Sequence, residues 1–198
     1  MLTLADAIEA LTNNRPAGAA IITEAAIDSR QVIPGSLFVA LPGEHTDGHD
    51  FVSEAFKRGA SFALIQKNMQ ASFRTIDLRG GLISGLAPDL TPPLCLRVDN
   101  TLAALQQIAR FWRRKLNLRV IGITGSVGKS TTKEVIGQVL AERYHTLKSP
   151  GNLNNEIGLP LTILRLGTGH ERAVLEMGFM CPVRSRCFAI LPCRRSVW

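Results

Sequence analysis

The stretch Val120-Ile-Gly-Ile-Thr-Gly-Ser-Val-Gly-Lys-Ser-Thr-Thr132 decides the reading of this chain. A short apolar run breaks into a glycine-rich turn, and Lys129-Ser130 then opens a helical pattern. Such a turn cradles nucleotide phosphates. Gly125 and Gly128 carry no Cβ, so the backbone can approach a ligand closely. Backbone N–H groups then converge on phosphate oxygens, helped by the positive end of the following helix. The expected nucleotide-binding residues are Thr124, Gly125, Ser126, Val127, Gly128, Lys129, Ser130 and Thr131. Lys129 is expected to reach the β- and γ-phosphates, and the Ser130 hydroxyl to bind Mg²⁺. The strict pattern has glycine at position 123, where this chain has Ile123. The flanks support the variant. Arg119 to Thr124 reads as a buried strand, and Val135, Ile136, Val139 and Leu140 read as one apolar helical stripe. A turn that binds nothing has no need of Lys-Ser at a helix start.

Upstream, Thr3 to Leu11 reads as a helix with Thr3 as N-cap and Asp6 three residues later. Asp28-Ser29-Arg30 follows a short apolar run. Ser36 to Leu41 reads as a strand, Phe51 to Arg58 as a helix, and Ser61 to Ile65 as the next strand. From Lys67 to Pro93 the periodicity is poor, with one short strand expected near Phe73 to Leu78. Leu94 to Val98 is expected to be a strand closing a first domain. Asp99 or Asn100 then caps a helix over residues 101–115. Alternation of strand and helix gives an α/β fold class. The expected organisation is a small N-terminal α/β domain over residues 1–98 and a linker helix over 99–118. A truncated P-loop, Rossmann-like central domain follows over 119–179, and an atypical tail over 180–198.

Composition narrows the function. At 45% hydrophobic and 20% charged residues, the chain is globular rather than disordered. No apolar run has the ~18 residues of a membrane span, and the first residues lack a signal-peptide pattern, so a cytosolic location is expected. The net charge of +7 does not indicate nucleic acid, because Arg184, Arg186, Arg194 and Arg195 of the tail supply four of those charges. Arg113-Arg114-Lys115 follows the stripe Leu102, Leu105, Ile108, Ala109 and Trp112 and reads as a solvated helix end. Cys181, Cys187 and Cys193 are spaced six apart, which fits no close-pair zinc pattern. Disulfides are not expected in the cytosol.

Three further segments draw attention. Pro150-Gly-Asn-Leu-Asn-Asn-Glu-Ile-Gly-Leu-Pro160 is dense in turn formers. Asn154 and Asn155 could simply close turns through side-chain hydrogen bonds, yet the loop is expected at the carboxyl edge of a sheet, where ligands bind. Ala173-Val-Leu-Glu-Met-Gly178 is an apolar strand ending in an acid, and Glu176 beside a P-loop suits Mg²⁺ or its waters. His45-Thr-Asp-Gly-His-Asp50 resembles a ligand cluster, but the glycines at 43 and 48 place it in a loop, and a polar loop is the expected reading.

These pieces together resemble the Mur ligase family, ATP-dependent amide-forming enzymes of peptidoglycan precursor synthesis. Asp28-Ser-Arg-x-Val-x-Pro-Gly-Ser-Leu-Phe-Val-Ala40, Asp47-Gly-His-Asp-Phe51, Gly122 to Thr132 and Gly151-Asn-Leu-Asn-Asn-Glu-Ile-Gly158 carry the resemblance. The last piece is similar to the member that adds D-alanyl-D-alanine to UDP-N-acetylmuramoyl-tripeptide. The resemblance implies that ATP phosphorylates the peptide carboxylate, and that the dipeptide amine then displaces phosphate from the acyl phosphate. Protein groups mainly position reactants and neutralise charge in such a reaction. Lys129 and Glu176 become the expected catalytic residues, and Ser130 and Glu176 the metal ligands. Ser29 and Arg30 belong to the UDP-binding region, and Asn154 and Asn155 face the UDP-sugar peptide. A monomer with no nucleic-acid partner is expected.

Family members continue well beyond Glu176, with a carbamylated lysine, the adenine pocket and a third domain. After Phe179 the residues Pro182 to Trp198 do not read like the family, and their Arg and Cys enrichment suggests a reading-frame change. The chain is therefore expected to be an incomplete, inactive fragment. The alternatives are a fragment of another Mur-type or folylpolyglutamate-type ligase, or an ATP-binding module without catalysis.

Overall fold

The computed structural model describes residues 1–18, 20–81, 89–151 and 153–178. The tail beyond Gly178, with its three cysteines, lies outside the described residues. The chain divides into two compact units between Ile108 and Ala109, inside the helix α3 (Thr101–Lys115).

The first unit holds a parallel five-stranded sheet. Its strands are β1 (Ala25–Ala26), β2 (Leu37–Val39), β3 (Phe62–Ile65), β4 (Thr75–Asp77) and β5 (Leu94–Arg97), in the order β1-β2-β3-β5-β4. The register aligns Phe38, Ala63 and Cys95 across the three middle strands. These pack with Ala26, Val32, Val52 and Ala55 in one buried cluster. Side chains alternate along a strand, so Leu37, Phe62 and Leu94 line the opposite face, and all three are fully buried. Burial on both faces explains why these strands read as unbroken apolar runs. β5 is the last strand of the unit in sequence yet pairs on both sides, with β3 and β4.

Helix α1 (Leu4–Thr12) starts as its sequence predicts. The Thr3 hydroxyl accepts from the Asp6 N–H, and the Asp6 carboxylate accepts from the Thr3 N–H, closing a capping box. Helix α2 (Val52–Lys57) is preceded by a 3₁₀ turn over Gly48–Phe51. Helix α3 is capped by the Asn100 side chain, which accepts from the Ala103 N–H at 2.8 Å. The Thr101 hydroxyl donates to the Ala40 carbonyl and ties that helix start to the end of β2. At its other end the Arg113 guanidinium donates to the carbonyls of Leu116 and Leu118, as basic groups do at helix C-termini.

The second unit holds a parallel sheet of β6 (Arg119–Ile123), β7 (Thr146–Lys148) and β8 (Arg172–Glu176), in the order β6-β8-β7. Two helices accompany it, α4 (Lys129–Ala141) and α5 (Gly158–Leu164). Two expectations are corrected here. β6 is not a buried strand: it is an outer strand among the described residues, with Val120 and Ile121 half-buried and Gly122 exposed. Nor does α4 bury its apolar stripe. Val135 is 55% and Val139 67% exposed, whereas the buried positions are Lys133 and Gly137. The helix turns the Ser130–Lys133–Gly137 face towards β7 and β8, so a lysine, and not the apolar stripe, packs on the sheet. Among the described residues no helix is long and apolar enough to cross a membrane.

Candidate functional site

Strand pairing builds the site. In the parallel register Ile123 lies opposite Glu176, so the loop leaving β6 and the acid ending β8 share one edge. The loop after β7 leaves from the same edge, held by the Ser149 N–H donating to the Val174 carbonyl at 2.9 Å. Ligands of open α/β sheets bind at such carboxyl edges.

From Thr124 to Gly128 the backbone turns through Gly125 (φ +144°) and Gly128 (φ +80°), values in the left-handed region that favour glycine. Gly128 is the N-cap of α4, and no side chain caps that end. Its first-turn amides therefore face outward, where an anion gains from both the amides and the helix dipole. Lys129 is turned back in this structure, its ammonium donating to the Gly125 carbonyl at 2.7 Å. A phosphate at the loop would offer that ammonium a charged acceptor in place of a carbonyl.

Ser130, Glu176 and Asn154 come together. The Ser130 hydroxyl donates to Glu176 Oε2 at 3.0 Å, and Asn154 Nδ2 donates to Oε1 at 2.9 Å. The Glu176 N–H donates to Ser149 Oγ, and the Gly178 N–H donates to the Asn154 carbonyl. Glu176 is 2% exposed. Burial alone would push its carboxyl up, but hydrogen bonds from Asn154 and Ser130 and the nearby Lys133 cation outweigh it and hold it below the ordinary value. A buried carboxylate kept ionised beside a hydroxyl is a hard-oxygen donor pair. Among the described residues no group of three or more His, Cys, Asp or Glu could hold a metal. One carboxylate and one hydroxyl fit Mg²⁺, which keeps waters and takes phosphate oxygens for its remaining ligands.

Lys133 was not singled out from sequence. Its ammonium is buried, 3.5 Å from Glu176 Oε2 and donating to the Gly151 carbonyl at 2.8 Å. Its only sequence signal is the three-residue spacing from Ser130, which places both on one helix face.

The other expected residues divide. Asn155 uses its side-chain oxygen to accept from the Ile157 and Gly158 N–H groups at the start of α5, a turn-closing role. Asn154 turns its amide nitrogen to Glu176. In the first unit Ser29 is buried in a 3₁₀ turn capped by Asp28. Arg30 is exposed, and its guanidinium is paired with both Asp28 oxygens. That pairing draws the Asp28 carboxyl down to about 2.

The His45–Asp50 segment is more than a polar loop. His49 is buried, and its Nε2 accepts the Gln66 N–H at 2.9 Å. That leaves Nδ1 as the donor to Asp47 Oδ1, 2.5 Å away. His49 thereby fixes the chain where it leaves β3. His145 and His170 stack with ring centres 4.3 Å apart.

Comparison with known proteins identifies the family. Two family profiles match, the Mur ligase family catalytic domain over residues 21–113 and the Mur ligase middle domain over residues 123–193. The second match runs past Phe179, where the family likeness read from sequence stops. The chain is 40% identical over 161 residues to the UDP-N-acetylmuramoyl-tripeptide–D-alanyl-D-alanine ligase of Bacillus subtilis, covering 80% of this chain and 31% of that protein. It is 37% identical over 169 residues to the Escherichia coli ligase of the same name, covering 85% and 33%. Among solved structures, MurF from Acinetobacter baumannii superposes with a TM-score of 0.68 at 31% identity, over 89% of this chain and 36% of that one. The MurF ligase from Thermotoga maritima in complex with ADP gives 0.59 at 30% identity, over 86% and 33%. The chain thus spans about a third of the length of the relatives it matches.

Proposed function

The chain belongs to the Mur ligase family, and on that premise we propose that it carries the nucleotide-holding and UDP-precursor-holding parts of a ligase that joins D-alanyl-D-alanine to UDP-N-acetylmuramoyl-tripeptide. The observation that carries this reading is the convergence of Ser130 and Glu176, 3.0 Å apart, beside an uncapped helix start preceded by a P-loop. The relatives named for that reaction, and the ADP held by one of the solved structures, support it.

In this reading the amides of residues 124–131 and the Lys129 ammonium hold the β- and γ-phosphates of ATP. Ser130 and Glu176 would hold Mg²⁺, which neutralises phosphate charge when bound. The tripeptide carboxylate oxygen attacks the γ-phosphorus, and ADP leaves. The dipeptide amine then attacks the acyl carbon, and phosphate leaves. Hydroxide is a poor leaving group and phosphate a good one, so two easier steps replace one hard acylation. Ser29 and Arg30 serve the UDP end, residues 1–98 forming that domain, and the loop of Asn154 and Asn155 faces the UDP-sugar peptide, Asn155 by holding the turn into α5. Cytosolic residence and a monomeric state belong to the same reading.

A fluorescent ADP analogue titrated into the 198-residue chain tests it. Saturable binding that weakens when EDTA removes Mg²⁺ is the expected result. Absence of binding by a chain whose circular dichroism shows it folded would refute the proposal. Nucleotide binding with no thermal shift from UDP-N-acetylmuramoyl-tripeptide would favour an ATP-binding module instead.

A further inference from the structure

Lys133 is the one α4 side chain buried where the helix faces β7 and β8, and it is 3% exposed. Burying an ammonium is costly unless partners compensate it. Its partners are informative. The ammonium donates to the Gly151 carbonyl at 2.8 Å and lies 3.5 Å from Glu176 Oε2. Glu134, the third, is half-exposed at 3.8 Å. Gly151 opens the asparagine loop, and Asn154 of the same loop returns to Glu176 through Oε1. A closed circuit results: Lys133 to Gly151, along the loop to Asn154, to Glu176 and back to Lys133.

We propose that Lys133 is a positioning residue that couples the metal-nucleotide site to the asparagine loop. The assignment rests on the function proposed above and goes further, because it gives one side chain the task of linking two ligand sites. Glu176 Oε2 receives both the Ser130 hydroxyl and the Lys133 cation. A cation taken up by Ser130 and Glu176 competes for those same lone pairs. Lys133 then keeps its remaining strong acceptor, the Gly151 carbonyl, and Asn154 follows the carboxylate. Occupancy at the phosphate end thereby changes the loop at the acceptor end. An aliphatic residue at position 133 would fill the space without making either link.

Nuclear magnetic resonance of the full chain, titrated with ADP in the presence of Mg²⁺ or of EDTA, tests the coupling. With Mg²⁺, ADP is expected to shift the amide signals of Gly125 and Gly128 and also those of Gly151 and the Asn154 side chain. With EDTA the loop shifts are expected to disappear. In K133M the P-loop signals should still titrate, with a Kd within about threefold of wild type, while the loop shifts fall by at least half. A purely structural role would lower stability and leave the loop response intact, which would overturn the assignment. So would loss of nucleotide binding in folded K133M, since Lys133 would then be a direct ligand contact. Should K133M fail to fold, the wild-type chain decides: loop signals indifferent to Mg²⁺ overturn the coupling. If the wild-type P-loop signals ignore ADP, the proposed function fails first and this assignment with it.

Discussion

Replacing Glu176 by glutamine keeps the shape of the side chain and removes its charge. The glutamine oxygen can still accept from Asn154 Nδ2, and the Ser130 hydroxyl can rotate to accept from the new amide. Lys133 cannot be satisfied in this way. Its ammonium keeps the Gly151 carbonyl but loses the buried anion 3.5 Å away. At an effective dielectric of about 20, that pair attracts by about 5 kcal/mol before desolvation is counted. Removing one partner of a buried pair typically costs about 3–5 kcal/mol. Glu134 at 3.8 Å offers part of the compensation, so E176Q should destabilise the second unit by about 2–4 kcal/mol. The same change removes a hard metal ligand and should weaken Mg²⁺-dependent nucleotide binding at least about tenfold, or about 1.4 kcal/mol. Urea denaturation followed by circular dichroism reads the first effect, and calorimetric titration with Mg²⁺-ADP reads the second. An E176Q chain with an unchanged urea midpoint and unchanged affinity would show that neither Lys133 nor a metal depends on this carboxylate.

Acid should act through the same group. The Glu176 carboxyl lies below its ordinary 4.5 when folded, and Asp47, drawn down first by Lys67 and then by His49, lies below its ordinary 3.8. Their ionised forms contribute full stability above the unfolded values, and that contribution is lost as pH falls through the folded values. Urea midpoints should therefore be level near neutrality and drop below about pH 4.5; a midpoint that rises on acidification would contradict this sign. H49A removes the acceptor for the Gln66 N–H and should lower first-unit stability by about 2 kcal/mol or more, measured by thermal denaturation. F62A empties a fully buried site between β2 and β5, and a loss of about 3–5 kcal/mol is expected in the same assay.

Local signals carried far in the sequence. Thr3 and Asp6 announce the start of α1 because a capping box is a contact between neighbours in the chain. Asn100 and the 101–115 stripe fix α3 for the same reason. The P-loop is legible because glycine, lysine and serine each meet a local demand of phosphate binding. What escaped depends on pairing between distant segments. Glu176 beside the P-loop is legible as an acid ending an apolar strand, but only the packing of α4 on β7 and β8 makes Lys133 its buried partner rather than a solvated helix residue. The α4 stripe misled for a related reason: periodicity finds an apolar face but not which face meets β7 and β8. His49 read as polar loop because its acceptor role is to Gln66, seventeen residues away.

Calorimetric titration of Mg²⁺-ATP into the wild-type chain and K129M tests the account most directly. The ammonium of Lys129 now rests on the Gly125 carbonyl, so its loss should leave the melting temperature nearly unchanged while weakening ATP at least about tenfold. Equal affinities in the two folded chains, or no heat of binding in either, would contradict the claim that this loop grips a nucleotide.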